Sequence, residues 1–215
     1  MNIVENFNKI IDQIKSLNIK RNINVIAVTK TFDLNYISPI IDLGHIHFGE
    51  NRVQEALDKW SKIKDKDLKN KLHLIGRLQS NKVEDACRIF DYIHSLDSEK
   101  LASKISLEQN KTKKPIKLFI QVNIGNEKQK NGIQVSEVSS FVKLCLIKYK
   151  LDIIGLMCIP PANQDPAPYF KSLKELAFNN GLPELSMGMS GDYLKAIECG
   201  SSFVRIGSAI FGKRD

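Results

Sequence analysis

A chain of 215 residues with 42% hydrophobic and 26% charged residues has the make-up of a folded globular protein, and no apolar run reaches membrane-spanning length. The net charge of +8 comes from 32 Lys and Arg against 24 Asp and Glu; the cations are mostly lysines scattered among acids, an excess that fits phosphorylated small molecules as well as nucleic acid, for which no recognition motif is present. Cys87, Cys145, Cys158 and Cys199 lie far apart without a C-x-x-C pair, which argues against a zinc ribbon or a disulfide scaffold and for reduced thiols.

In chain order, residues 1–17 come first. Ile3, Val4, Phe7, Ile10, Ile11, Ile14 and Leu17 recur at helical spacing with Glu5 and Asp12 on the polar side. A secretory segment would be continuously apolar, and a transit peptide would avoid acids. The expectation is an amphipathic helix docked on the body of a cytoplasmic protein. Short, β-branched apolar runs follow at 23–28, 45–49, 72–76, 92–95, 116–122, 153–157, 184–187 and 203–206. Amphipathic stretches separate them at 35–43, 53–60, 81–88, 99–109, 135–149, 167–179 and 193–198. Continuous apolar strands alternating with helices predict a parallel sheet. The lysine-rich stretches 59–71 and 111–117 read as solvated helix faces and loops.

Eight strands with seven intervening helices, and an N-terminal helix to supply the eighth, favour a closed (β/α)8 TIM barrel of the α/β class, one domain over 1–215, above an open doubly wound sheet. Residues 209–215 are too few for another helix of ordinary length. The proline-rich stretch from Pro160 to Pro168 reads as a loop after strand six, and no internal repeat is present. In a barrel the active face lies at the C-terminal strand ends. There the sequence places Lys30, then Glu50, Asn51 and Arg52, Arg77 and Gln79, Ser95 and Asp97, and Asn123. Met157, the segment Ser186 to Ser190, and Arg205, Gly207 and Ser208 complete the set.

The chemistry of those ends can be read residue by residue. Lys30 follows Val25-Ile26-Ala27-Val28-Thr29; an amine in an apolar barrel mouth loses its proton more easily and can form a Schiff base with an aldehyde. A surface lysine at a strand end is the plainer alternative. The segments after strands seven and eight are the usual phosphate site of a barrel. Backbone N–H groups at the helix start near Asp192, with the Ser190 hydroxyl, Gly207 and Ser208, suit a dianion. Alternatively Ser190 caps its own helix and Gly207 serves packing. Arg205 lies two residues before Gly207 on the same strand face, and a buried guanidinium needs an acceptor, which a pyridine nitrogen would provide. Lysine, phosphate cradle and arginine together are what a protein needs to hold pyridoxal 5'-phosphate (PLP).

Two motifs are decoys. Residues 207–214 approach a P-loop, but Arg214 stands where Ser or Thr should bind magnesium. Gly188 to Asp192 approaches a nucleophile elbow without its second glycine or a nearby histidine. His45 and His47 could bind metal with Glu50, yet no third ligand has convincing spacing, and they read as ordinary strand histidines. Trp60 aligns with Val53, Ala56 and Leu57 as helix-face packing.

The sequence resembles the PLP-binding, PLP-homeostasis family of barrels, related in fold to the N-terminal domain of alanine racemase. The matching stretches cover nearly the whole chain: Val28 to Thr31, Phe48 to Glu55, His73 to Lys82, Gln121 to Ile124, Gly155 to Met157, Ser186 to Ser190 and Val204 to Gly212. The resemblance implies that Lys30 carries PLP as a Schiff base, that Arg205 faces the pyridine nitrogen, and that Ser190, Gly207 and Ser208 hold the phosphate. Asn51 would lie near the ring, Met157 would line the pocket, and Lys130 would sit on a mobile loop that assists PLP transfer. Ser202 and Ser208 stand where the family often has Thr, and Thr29 where it often has Ser; each keeps a hydroxyl. No metal is implied.

An arginine at the ring nitrogen favours the unprotonated ring and so weak carbanion stabilisation, unlike an aspartate. With no second domain expected to supply an acid/base tyrosine, this points to a PLP carrier in intracellular homeostasis without strong turnover. The apo forms of PLP enzymes would be its recipients, with no nucleic acid or membrane partner. A PLP enzyme with weak amino-acid racemase activity is the alternative. No helix is left over for a partner, so a monomer is expected.

Overall fold

The computed structural model describes residues 2–61 and 69–212. Most of the lysine-rich stretch 59–71, and Lys213 and Arg214 of the near-P-loop, lie outside them. Eight parallel strands form a closed barrel in sequence order: β1 (Asn24–Val28), β2 (His47–Glu50), β3 (Lys71–Leu74), β4 (Tyr92–Leu96), β5 (Lys117–Gln121), β6 (Ile153–Met157), β7 (Glu184–Met189) and β8 (Phe203–Ile206). Closure is direct: β1 pairs β8 with Ile26 opposite Arg205 and Ala27 opposite Ile206. The helices are α1 (Ile3–Ser16), α2 (Leu34–Asp42), α3 (Val53–Trp60), α4 (Val83–Ile89), α5 (Glu99–Thr112), α6 (Val138–Lys143), α7 (Ala167–Asn179), α8 (Tyr193–Glu198) and α9 (Ser208–Phe211). The expected (β/α)8 barrel is the fold.

Alternation along each strand sorts side chains into two layers. Ile26, Phe119, Met157 and Phe203 pack together inside the barrel. A larger layer, including Phe48, Leu74, Ile93, Ile120, Leu156 and Val204, lies between the strands and the helices. This double burial is why the strands read as continuous apolar runs.

α1 begins at an Asn2 side chain that accepts the Glu5 N–H, and it buries Ile3, Phe7 and Ile10. It lies against α2 and α9, and Asn6 Nδ2 donates to the Ile210 carbonyl at 3.0 Å. The N-terminal helix therefore fills the ring position that the chain after β8 leaves open. That chain nevertheless makes one helical turn, α9. It forms because Ile210 and Phe211 are buried and Tyr36 Oη donates to the Phe211 carbonyl at 3.0 Å. The expected helix over 135–149 is three pieces: a 3-10 turn at Val135–Glu137, α6, and a π-helical turn at Leu144–Lys148 in which Tyr149 N reaches back five residues to the Leu144 carbonyl. His45 lies just before β2, with its N–H on the Ile40 carbonyl. No described helix is long and apolar enough to cross a membrane.

Candidate functional site

Lys30 follows the last β1 residue by two positions. Ile26 and Val28 face the barrel interior, since the Cβ position of Gly49 on β2 would meet both side chains. Thr29 faces outward and is fully buried: its N–H donates to the Gly49 carbonyl at 2.9 Å and its hydroxyl to Glu50 Oε1 at 2.7 Å. Alternation then turns the partly buried Lys30 toward the mouth. Behind Thr29 sits a buried ion pair. Lys59 Nζ donates to Glu50 Oε1 at 2.8 Å and to the Thr29 carbonyl at 2.7 Å, while Trp60 Nε1 donates to Glu50 Oε1 at 3.0 Å. On the other side Thr31 adopts a left-handed backbone, φ 69°, costly for a β-branched residue, with its N–H held by the Glu55 carboxylate. Lys30 is thus fixed at its backbone from both sides.

One sequence expectation is corrected here, and one is extended. Lys59 is not on a solvated face; α3 turns it inward onto Glu50, where it is 8% exposed. Trp60 does pack on Phe48, ring centroids 5.0 Å apart, but its indole N–H also serves the Glu50 carboxylate.

The anion cradle lies after β7 and β8. Ser190 was expected to serve the start of the helix near Asp192, which is α8 (Tyr193–Glu198). Asp192 occupies the N-cap position of α8 without capping it through its side chain, whose Oδ1 instead turns back to accept the Met189 N–H at 2.6 Å. Ser190 Oγ turns to α9 and accepts the N–H groups of Gly207 and Ala209, each at 3.3 Å. The cradle is therefore built on α9. The nearest atoms to a Cβ at Gly207 would be those of Val28, at 3.4 Å or more, so the protein's own packing leaves room there for a ligand to approach. Ser208 is exposed beside it. A hydroxyl with neighbouring backbone N–H groups is the donor set a phosphate needs. A cavity of about 890 Å3, lined by Ser190, Gly191 and Ala209 with Lys9 of α1 and Lys195 of α8, reaches this cradle from the outer side.

Arg205 is 5% exposed inside the barrel. Its Nη1 donates to the Ser186 carbonyl at 2.7 Å and to Ser186 Oγ at 2.8 Å, and its Nη2 to the Cys158 carbonyl at 2.9 Å. Among the described residues it makes no ion pair. Burial pushes the neighbouring Cys158 thiol up to about 12, so no thiolate balances the guanidinium. Burial also lowers the Arg205 pKa from its ordinary value. A cation held only by neutral acceptors retains N–H capacity for a ligand acceptor, and a ring nitrogen fits it.

The register gathers these groups. Met157 pairs Ser186, Met189 pairs Arg205, and Ile26 pairs Arg205 on its other edge. The ends of β6, β7, β8 and β1 therefore stand side by side, with Asn51 next, just past β2. Met157 is fully buried in the interior cluster beneath the mouth. On the far rim Asn123 is engaged with its own loop: Nδ2 donates to the Glu127 carbonyl and Oδ1 accepts the Glu127 N–H. Lys130 is paired with Glu127 and donates to the Pro160 carbonyl at 2.9 Å, which braces its loop against the one after β6.

Sequence reasoning missed what fills the barrel around Arg205. His47 Nδ1 lies 2.9 Å from His73 Nε2, His73 Nδ1 lies 2.9 Å from His94 Nε2, and His94 Nδ1 lies 2.8 Å from Ser186 Oγ. His73 and His94 are fully buried, and burial drives both well below the ordinary histidine range. The available signal was a histidine at an inward position of β3 and of β4. No metal-ligating cluster occurs among the described residues.

Comparison with known proteins bears on the family and the fold. A family model described as alanine racemase, N-terminal domain, matches residues 3–215. The pyridoxal phosphate homeostasis protein of Pasteurella multocida is 37% identical over 203 residues, 90% of this chain and 87% of that one. The protein of the same name from Aquifex aeolicus is 39% identical over 199 residues, 88% of this chain and 86% of that one. The solved structure of PipY from Synechococcus elongatus with PLP bound matches at TM-score 0.81 and 31% identity, over 94% of this chain and 99% of that chain; its PLP-free form matches at 0.83. On these matches, spread along nearly its full length, the chain belongs to the alanine racemase N-terminal domain family, among the pyridoxal phosphate homeostasis proteins.

Proposed function

We propose that the chain binds PLP in the barrel mouth and serves intracellular PLP homeostasis as a carrier. The observation that carries this reading is Arg205: a buried guanidinium held by neutral acceptors alone, one strand from Lys30 and next to the Ser190–Gly207–Ala209 cradle. Bound PLP supplies an electrophilic aldehyde on an electron-withdrawing ring. Lys30 is the residue whose amine would hold the group through its aldehyde carbon, the carbonyl oxygen leaving as water, so that the hold would be covalent and reversed by hydrolysis. Ser190, Gly207 and Ser208 hold the phosphate, Asn51 flanks the ring, and Met157 closes the floor. Arg205 donates to the ring nitrogen and, as a cation, keeps that nitrogen unprotonated. The ring then draws electrons weakly, which suits holding and delivery better than amino-acid turnover.

The recipients are the apo forms of PLP enzymes, and the carrier works as a monomer in the cytoplasm; four free buried cysteines are in keeping with a reducing compartment. The experiment mixes PLP-loaded protein with an apo-enzyme that requires PLP, and in parallel with L-alanine. Restored activity of the recipient, without sustained conversion of alanine, is expected. Sustained turnover, or no restoration, would overturn the carrier reading.

A further inference from the structure

The interior of a small barrel is ordinarily filled by branched aliphatic side chains. Here three imidazoles occupy it in single file from His47 on β2, through His73 on β3, to His94 on β4, ending at Ser186 and Arg205. The file crosses the barrel from the strand starts, where His47 is partly exposed, to the mouth. Ring stacking fixes the planes: His73 lies on Tyr92 at 4.2 Å and 12°, and His94 on Phe119 at 4.3 Å and 16°.

Each contact in the file needs one hydrogen, and the direction is not arbitrary. Arg205 can only donate, so Ser186 Oγ accepts from it. Among the described residues the one other partner of Ser186 Oγ is His94 Nδ1, so the hydroxyl hydrogen goes there. His94 Nδ1 is then an acceptor, and its proton sits on Nε2, facing His73 Nδ1. The same step repeats to His47. The reverse order would aim a ring N–H at a serine oxygen already facing a cation and leave the hydroxyl hydrogen without an acceptor.

We infer that His94, acting through Ser186, is a positioning residue for Arg205, and that His47, His73 and His94 form an ordered file of Nε2–H tautomers whose lone pairs point toward the guanidinium. Aligned bond dipoles strengthen one another, so the file stabilises the buried cation without a carboxylate. A carboxylate would compete for the N–H that faces the ligand; a neutral file does not. The part of this inference that concerns the ring nitrogen rests on the functional reading above.

Two measurements on the whole protein test it. The first is long-range 1H–15N correlation of the imidazoles without PLP. His47, His73 and His94 are expected neutral at pH 7, each protonated on Nε2; an Nδ1–H form of His73 or His94 would overturn the order. The second is PLP titration followed by absorbance, with melting curves for each variant. Ser186→Ala and His94→Phe, which keeps the stack on Phe119, are each expected to weaken PLP binding about tenfold and move the visible maximum. Their combination should be no worse than either alone, because both break one link. His94→Asn, whose amide oxygen can replace Nδ1 as acceptor, is expected to restore binding to within about twofold of wild type. If His94→Phe fails to fold, Ser186→Ala carries the test. Folded variants that bind PLP as wild type does, with an unmoved maximum, would overturn the positioning role and leave the PLP reading intact. Wild type that takes up no PLP would overturn the functional reading and the ring-nitrogen clause, and the tautomer order would still be decided by the first measurement.

Discussion

Thr29 and Thr31 hold Lys30 from either side, and the inner hold depends on one buried ion pair. Glu50 is fully buried; its Oε1 takes three donors while Oε2 has no partner among the described residues. Removing the cation should therefore be severe. Lys59→Met is expected to destabilise the fold by about 3 kcal/mol in urea melts, because it strands a buried carboxylate. Adding Glu50→Gln should recover a large part of that loss. A loss below about 0.5 kcal/mol for Lys59→Met would show the pair to be solvated. The character of Lys59 was hard to read from its surroundings, since it opens a run of lysines and acids. Its one clue is helical spacing: it lies three residues after Ala56 and adjoins Trp60, both buried. Lys30, Ser190 and Arg205 were readable as site candidates because strand ends followed by glycine and hydroxyl residues mark the mouth of a barrel. The partner of Ser190 was not, since the α9 N–H groups reach it only through the β7–β8 pairing.

The elements bring Asn51 to the mouth through a close approach of two strand ends. A Cβ added at Gly76, just past β3, would lie 2.2 Å from the Asn51 carbonyl oxygen and 2.8 Å from its Cα. Backbone cannot yield as a side-chain tip can. Gly76→Ala is expected to destabilise by about 2 kcal/mol by urea melt and to weaken PLP uptake, since the segment carrying Asn51 must move. Unchanged stability and uptake would show that this approach is loose. All eight strands were legible to within two residues because parallel strands buried on both faces are continuous apolar runs. The departures lie among the helices. The π turn at Leu144–Lys148 depends on how the chain re-enters β6. The α9 turn depends on its contacts with Tyr36 and Ser190, far away in sequence.

At the scale of the whole molecule, the four histidines make stability depend on pH. Burial lowers His45, lowers His47 to about 4, and takes His73 and His94 well below the ordinary histidine value of 6.5. The unfolded chain takes up these protons near 6.5 and the native barrel resists them. Stability is therefore full above about 6.5 and falls as pH drops toward about 4. Urea midpoints at pH 7.5 and 5.5 should differ accordingly, with the lower midpoint at pH 5.5; equal midpoints would show that the file is protonated in the native state. The barrel itself was countable from the sequence, eight strands with their helices. The histidine file was not, because His47, His73 and His94 sit on three different strands and only closure of the sheet lines them up.

The most direct test of the account is the visible absorbance of the purified protein titrated with PLP, wild type beside Lys30→Ala, followed by borohydride reduction and peptide mapping. The account predicts a new band in wild type, a permanent label on the Lys30 peptide, and loss of both in Lys30→Ala. No band in wild type, or the same band in Lys30→Ala with the label on another lysine, would contradict it.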